Sequence, residues 1–102
     1  MKRLITSSTT INAEDMIDYA IDTVIDKLKS SYRRIVHIDI DDIQWSDSEI
    51  SFDVIAYNKS MKRIAVDTFY ASIHFDDGFA TTAEDAEYVL NNKIDDFVLN
   101  FM

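Results

Sequence analysis

Apolar residues in the first third of the chain recur at helical spacing. They return every three or four positions after Asn12, a residue type that often caps the N-terminus of a helix. The members of this stripe are Ile17, Ile21, Val24, Leu28 and Tyr32. Because most residues between them are polar, the pattern predicts an amphipathic helix from Asn12 to about Arg33, with one buried side.

From Ile35 onward the apolar residues alternate with other residues. Two segments show this alternation: the first starts at Ile35, and the second runs from Glu49 to Tyr57. Their apolar positions are Val36, Ile38 and Ile40, then Ile50, Phe52 and Val54. Successive side chains of a strand point to opposite faces, so the alternation predicts two strands that each bury one face.

A third segment, from about Met61 to Phe75, changes its phase partway. Its apolar positions are first even-numbered and then odd-numbered: Ile64 and Val66, then Phe69, Ala71, Ile73 and Phe75. A bulge near Asp67 and Thr68 would keep both sets on the buried face of one strand.

The pairing of the second and third strands follows from the loop between them. If residues 58–60 form this loop, Val54 lies opposite Ile64 and Phe52 opposite Val66. This register keeps apolar side chains on one face of the sheet, and we therefore predict it.

The end of the chain returns to helical spacing. Residues 76–78, Asp-Asp-Gly, are a strong turn signal, and Thr81 with Glu84 forms a capping box that starts a second helix. The apolar stripe of this helix is Ala86, Val89, Leu90, Ile94, Phe97 and Phe101. The order of elements predicts an α+β two-layer sandwich, in which both helices cover one face of a sheet of three antiparallel strands. We expect a single domain over residues 1–102, with residues 1–11 either loose or adding an edge strand.

Charge narrows the range of partners. The chain has 19 acidic and 10 basic residues, which gives a formal net charge of −9. Such a charge repels nucleic acids and acidic membranes and attracts basic surfaces, so we expect a basic protein partner and no direct nucleic-acid or membrane binding. The absence of Cys excludes disulfides, and no apolar run approaches the roughly 20 residues of a membrane helix. We expect a cytoplasmic protein.

Four carboxylates recur along the first predicted helix. Asp15, Asp18, Asp22 and Asp26 lie within about 80° of one another around the helix axis, and the last three step about 6 Å along it. Acids near a helix N-terminus are stabilised by the helix dipole, but like charges four residues apart destabilise a helix. A solvated helix face is one interpretation. The other is phosphate mimicry, because phosphates along a nucleic-acid strand lie roughly 6 to 7 Å apart.

A second acidic group is predicted on the sheet. Asp39, Asp41 and Asp53 share the outer face by the parity of their positions, and Asp67 joins them if the bulge follows it. Further acids surround Trp45 in or beside the loop between the first two strands: Asp42, Asp47 and Glu49. The group is either an ordinary polar sheet face or a second charged surface for the same partner. Trp45 either packs on the core or anchors an interface.

Enzyme chemistry is poorly supported. His37, Asp39 and Asp41 have ligand side chains, but residues two apart on a strand point outward in parallel, about 6 to 7 Å apart, and do not converge on one ion. The only glycine is Gly78, so the sequence has no Gly-rich phosphate loop and no Gly-flanked nucleophile turn. We expect no catalytic residues, no metal and no cofactor, and a metal-dependent enzyme is the third hypothesis.

The alternative to phosphate mimicry is a structural or regulatory interaction protein that forms a homodimer through the open sheet face. Ile55, Tyr57 and Tyr70 are the residues expected to provide such a contact. In that case the acidity serves only solubility.

In its acidity, its layout and its two acidic segments, the chain resembles the small phage-encoded anti-CRISPR proteins that act as DNA mimics. These segments are Asp18, Asp22 and Asp26 on the helix and the acid-rich stretch from Asp41 to Glu49. The opening K-R-L-I-T-S-S also looks like the start of short proteins carried on phages and mobile elements of Gram-positive bacteria. The resemblance implies an inhibitor that occupies the duplex-binding or PAM-reading groove of a CRISPR effector nuclease, where its carboxylates pair with Arg and Lys.

Overall fold

The computed structural model describes residues 13–46, 48–73, 75–76, 79–80 and 83–102. The elements, in chain order, are α1 (Ala13–Ser31), β1 (His37–Trp45), β2 (Glu49–Tyr57), β3 (Arg63–Ser72), β4 (Phe75–Asp76), β5 (Phe79–Ala80) and α2 (Ala83–Leu99). Strands β1, β2 and β3 form an antiparallel sheet in that order, and β4 pairs with β5 in a separate two-stranded sheet. The α+β class and the predicted order of helix, strands and helix are confirmed. The predicted caps at Asn12 and Thr81 and the turn residues Asp77 and Gly78 lie outside the described residues.

Helix α1 buries the predicted stripe. Its buried residues are Ala13, Met16, Ile17, Ala20, Val24 and Leu28, whereas Ile21 is only partly buried. The helix ends at Ser31, slightly before the predicted Arg33, and the N–H of Tyr32 still donates to the carbonyl oxygen of Leu28 at 2.9 Å. The hydroxyl of Tyr32 then donates to the backbone oxygen of Val98 at 2.6 Å, which ties the end of α1 to α2.

Strand β2 is the centre of the sheet and agrees with its prediction from Glu49 to Tyr57. Every second side chain is fully buried: Ile50, Phe52, Val54 and Ala56. This is the alternation expected of a strand whose one face packs on helices. Because β2 has a neighbour on each side, its boundaries are set by two ladders of hydrogen bonds rather than one.

Strand β1 is longer than the alternation indicates, because it continues past an irregularity to Trp45. The pairing shifts between Asp41, opposite Asp53, and Gln44, opposite Ser51, so β1 carries one extra residue. Asp42 occupies the left-handed backbone region there, with φ of 51°. Asp is among the few non-Gly residue types that adopt this conformation readily.

The predicted register between β2 and β3 is wrong. Val54 lies opposite Asp67 and Phe52 opposite Phe69, each three residues further along β3 than predicted. An odd shift turns a strand over, so Val66 is 52% exposed instead of buried. The aromatic pair explains the choice: Phe52 and Phe69 are both fully buried and stack with ring centroids 5.0 Å apart.

Two residues of the shift come from the connection between the two strands, and the third comes from one extra residue of β3 where the pairing is irregular. The connection spans residues 58–62 instead of the predicted 58–60, and Met61 adopts the left-handed conformation with φ of 58°. The side-chain oxygen of Asn58 accepts hydrogen bonds from the N–H groups of Ser60 (2.9 Å) and Lys62 (3.0 Å). The irregularity in pairing then falls opposite Ala56 and Tyr57, not at the predicted Asp67 and Thr68.

Both helices pack on one face of the sheet, and the other face is open. The core joins residues of α1, α2 and the three strands in one cluster. Phe97 of α2 meets Phe69 edge to face at 5.5 Å, and the hydroxyl of Tyr19 on α1 donates to Asn91 Oδ1 of α2 at 2.7 Å. Among the described residues, no helix is both long enough and apolar enough to span a membrane.

Candidate functional site

The helix carboxylates lie on the outer side of α1. We call Asp15, Asp18, Asp22 and Asp26 the helix ridge. At about 100° per residue, these four positions are centred opposite the buried side of the helix, which carries Met16, Ala20 and Val24. Asp22 is partly buried, and the other three are exposed. The ridge therefore faces away from the sheet.

Basic residues follow the helix ridge but do not interleave with it. Lys29 lies in the last turn of α1. Lys27 turns toward α2 instead, where its Nζ lies 2.5 Å from Asp95 Oδ1. The first turns of the helix thus present carboxylates and the last turn presents Lys29, an order that the helix dipole favours.

The second group lies on the open face of the sheet. We call Asp39, Asp41 and Asp53 the sheet carboxylates. Asp41 is directly opposite Asp53 in the antiparallel pair, and Asp39 lies two residues earlier on β1. Asp39 and Asp41 are exposed, and Asp53 is partly buried. Directly opposed residues have Cβ atoms about 4.5 to 5.5 Å apart, so two carboxylates adjoin across the strands.

Hydrogen bonds orient each of the sheet carboxylates. Thr68 Oγ1 donates to Asp53 Oδ1 at 2.7 Å, and the N–H of Asp42 donates to Asp41 Oδ1 at 2.9 Å. The Nε2 of His37 lies 2.6 Å from Asp39 Oδ1. No Lys or Arg among the described residues forms an ion pair with any of the three.

The β1 bulge and the nearby strand ends carry the other predicted site residues. Asp42 accepts a hydrogen bond from Gln44 Nε2 at 2.8 Å. Trp45 pairs with Ile50, which places it toward the helix-covered side, and it is 45% exposed. A hydrogen bond to Glu49, together with the charge of that carboxylate, raises the pKa of Tyr70. Asp47 lies outside the described residues.

Asp67 does not join the sheet carboxylates. It lies opposite Val54, a core residue, and therefore on the helix-covered side at the rim of the sheet. Its Oδ1 accepts a hydrogen bond from the N–H of Thr68 at 2.8 Å. We predicted that Asp67 joins the sheet carboxylates only if the bulge in β3 follows Asp67. The irregularity instead precedes Asp67 along β3.

The helix ridge and the sheet carboxylates are on opposite sides of the two layers. They do not form one continuous surface. The chain reverses direction between α1 and β1, where the N–H of Ile35 donates to the carbonyl oxygen of Tyr32 at 3.0 Å. The acidic first half of α1 is therefore at the end where β1 and β2 connect.

The cations gather at the opposite end, which the sequence analysis missed. Residues 27–38 and 54–66 contain no Asp or Glu and include seven Lys or Arg. The fold joins these two segments, because the N–H of Val36 donates to the carbonyl oxygen of Tyr57 at 2.9 Å. The signal present in the sequence was the absence of acids from both segments, but only the pairing of β1 with β2 shows that they adjoin.

The geometry offers no metal-binding cluster among the described residues. No group of three or more His, Cys, Asp or Glu side chains in that part of the chain is arranged to hold an ion. Two strand carboxylates and one imidazole on parallel directions give a charged surface rather than a coordination sphere.

Comparison with known proteins adds no relative. No protein-family model matches the chain, and neither a curated protein nor a solved structure matches it.

Proposed function

We propose that this protein is a non-enzymatic acidic inhibitor that binds the nucleic-acid groove of a DNA-binding protein or nuclease. In this proposal its carboxylates take the positions of backbone phosphates and pair with Arg and Lys of the groove. The sheet carboxylates form the primary contact, and the helix ridge forms a second one.

The observation that carries the proposal is the pair Asp41 and Asp53. Like charges directly opposite each other on neighbouring strands destabilise a sheet. This pair lies on the open face, where many uncharged polar residues would satisfy the fold equally well. A basic partner would turn this repulsion into a favourable interaction, because its cations would lie between or above both carboxylates.

Spacing supports the same proposal. Asp39 and Asp41 are two residues apart on one strand, which separates their side chains by about 6 to 7 Å. This is close to the separation of successive phosphates on a nucleic-acid strand. Asp53 adds a third negative charge on the neighbouring strand, so a basic groove meets a row of two carboxylates with a third carboxylate beside it.

A CRISPR effector nuclease is the specific target that we propose to test first. Its duplex-binding channel is lined with Lys and Arg that contact the DNA backbone. Release of counterions on binding would make the association weaken steeply as salt is raised. No catalytic step by this protein is part of the proposal.

The test uses a purified CRISPR effector nuclease loaded with its guide RNA, and cleavage of a matching DNA duplex is measured. The protein is added before the DNA in one series and after it in another. Inhibition that is lost when DNA is added first supports competition for the groove. If the protein fails to slow cleavage at any order of addition, the same assay is repeated with restriction enzymes, and failure with all of them contradicts the inhibitor proposal.

Two variants with the same change in net charge locate the surface. One carries Asp39→Asn, Asp41→Asn and Asp53→Asn, which removes the sheet carboxylates. The control carries Asp67→Asn, Glu87→Gln and Asp96→Asn, which removes three acids outside both acidic surfaces. The first variant should lose inhibition and the control should keep it. Equal loss in both would show that only total charge matters.

A second candidate function is self-association through the open sheet face. Ile55 is directly opposite Val66, and Tyr70 on the same face is 50% exposed, so an apolar patch adjoins the sheet carboxylates. A twofold dimer on this face would also bring acidic groups of two copies together, which opposes it. Analytical sedimentation distinguishes a monomeric inhibitor from a dimer. A mass near twice 11.8 kDa for the native sequence, and a monomer mass for Val66→Asp, would support the dimer.

A further inference from the structure

The basic end of the molecule contains a cleft that is separate from both acidic surfaces. It lies between the segment that follows α1 and the loop that joins β2 to β3. Its volume is about 380 Å³. We call it the basic cleft, and it is lined by Arg33, Arg34, Val36, Asn58, Lys59 and Ser60.

The cations of the basic cleft have no counter-charge in the part of the chain that the structure describes. Arg33, Arg34 and Lys59 are exposed, and none of them forms an ion pair or a side-chain hydrogen bond there. Lys27 is a useful contrast, because it belongs to the same acid-free segment but is paired with Asp95 of α2. Three cations are thus held around one concavity in a protein of net charge −9.

The loop that carries Lys59 is fixed by its own hydrogen bonds. Asn58 is bonded through its backbone N–H to the oxygen of Lys62 at 2.9 Å, and its carbonyl oxygen accepts from the N–H of Met61 at 2.9 Å. Its side chain also holds the N–H groups of Ser60 and Lys62. On the other wall, the N–H of Val36 is bonded to Tyr57. Both walls of the cleft are therefore ordered before any ligand binds, which lowers the entropy cost of binding.

The chemistry of the lining selects an oxyanion. A guanidinium presents parallel N–H donors that match two oxygens of a phosphate, and two of them lie here beside an ammonium. The hydroxyl of Ser60 is a further donor. Val36 is 50% exposed and offers an apolar contact next to the cations. The cleft is larger than one phosphate needs, so it has room for the group that carries the phosphate.

We propose that the basic cleft binds the phosphate of a small phosphomonoester of nucleotide size. A long nucleic acid fits less well, because an extended polyanion leaving the cleft would run toward the acidic surfaces and be repelled by the net charge of −9. A single small phosphate avoids this repulsion. This site is independent of the inhibitor proposal, since none of its residues belongs to the helix ridge or the sheet carboxylates.

The test is a titration of the ¹⁵N-labelled protein with adenosine monophosphate, followed by NMR. Saturable shifts are expected for amides of residues 33–36 and 58–60. Inorganic phosphate should shift the same amides more weakly, and adenosine without phosphate should leave them unchanged. Failure of adenosine monophosphate to give saturable shifts at millimolar concentration overturns the proposal. Tighter binding of a short DNA strand than of the mononucleotide overturns it as well.

Matched variants establish that the cleft is the site. The double variant Arg33→Gln and Arg34→Gln removes two charges from the cleft, and Lys29→Gln with Lys93→Gln removes two exposed charges elsewhere. The first should weaken binding about tenfold or more, because each arginine contributes charged hydrogen bonds. The second should bind normally. Equal binding by both variants contradicts the assignment, and a circular dichroism melt of each confirms that it is folded.

Discussion

Two regions of this molecule carry opposite charge: the first turns of α1 with the β1 bulge, and the basic cleft. In one region the first turns of α1 and the β1 bulge present Asp18, Asp41 and Asp42. In the other region Arg33, Arg34 and Lys59 surround the basic cleft. In the part of the chain that the structure describes, Arg33, Arg34 and Lys59 form no ion pair, and these cations are separate from the carboxylates of the first turns of α1. The net charge of −9 is a sum over the whole chain, so it does not give the local charge of either region.

The predictions test this contrast, starting with the scaffold that both regions share. Phe69→Ala removes a fully buried ring that contacts Phe52 and Phe97. It should lower the free energy of unfolding by about 3 to 5 kcal/mol, measured by urea denaturation. Because the sheet and the helices packed on it carry both charged regions, unfolding of the sheet would abolish both regions together.

Val66→Ala is the control on the same strand. Val66 is more than half exposed, so its truncation should change stability by less than about 0.5 kcal/mol. A cost for Val66→Ala similar to that for Phe69→Ala would mean that the register of β3 is the one with Val66 on the buried face.

Asp41→Asn tests the acidic region. The substitution removes the charge opposite Asp53 and keeps an oxygen that can accept from the N–H of Asp42. It should raise the free energy of unfolding by about 0.2 to 1 kcal/mol while weakening partner binding. Asp67→Asn, on the rim of the other sheet face, should leave stability nearly unchanged. Destabilisation by Asp41→Asn would indicate that the carboxylate is compensated within the fold.

A double-mutant cycle tests the ion pair between Lys27, which belongs to the first acid-free segment, and Asp95 of α2. Lys27→Gln, Asp95→Asn and the double variant are compared in thermal or urea unfolding. Because both side chains are in contact with solvent, the coupling energy should be about 0.2 to 1 kcal/mol and should fall in high salt. A coupling well above that range would mean that the pair is shielded from water.

The smallest effect concerns Tyr70, whose pKa is raised above the ordinary value of 10.0 by the hydrogen bond to Glu49 and by its charge. A raised pKa in the folded state stabilises the protein below the pKa of the unfolded chain, and this contribution is lost as pH rises through the folded value. Glu49→Gln should make one tyrosine ionise at lower pH, as followed by phenolate absorbance. Glu87→Gln is the control and should leave the titration unchanged.

Local patterns predicted most of the fold. The alternation from Glu49 to Tyr57 set β2, and the apolar stripe of α1 set its buried side, because both depend only on residue spacing within one element. The register of β3 depended on a loop with no Gly or Pro to mark it, where Asn58 and Met61 make the turn, and on one extra residue of β3 just after that loop. Nothing in the periodicity separates that loop from a shorter one.

The candidate surfaces also differ in how far local sequence patterns predict them. Parity correctly grouped Asp39, Asp41 and Asp53 on one strand face, because side-chain direction alternates along a strand. Parity could not relate that face to the helix ridge, since their relation depends on which side of the sheet α1 covers. The basic cleft was beyond local analysis, because Arg34 and Lys59 are brought together only by the pairing of β1 with β2.

The separation of the acidic first turns of α1 from the cations of the basic cleft makes the charge distribution of the protein asymmetric. A dipolar molecule turns in the field of a charged surface before it touches it, and this orientation raises the fraction of encounters that are productive. At physiological ionic strength the field extends only about 8 Å, so the turning occurs in the last moments of approach. A positively charged surface would be attracted to the carboxylates, and a small anion would be drawn to the basic cleft.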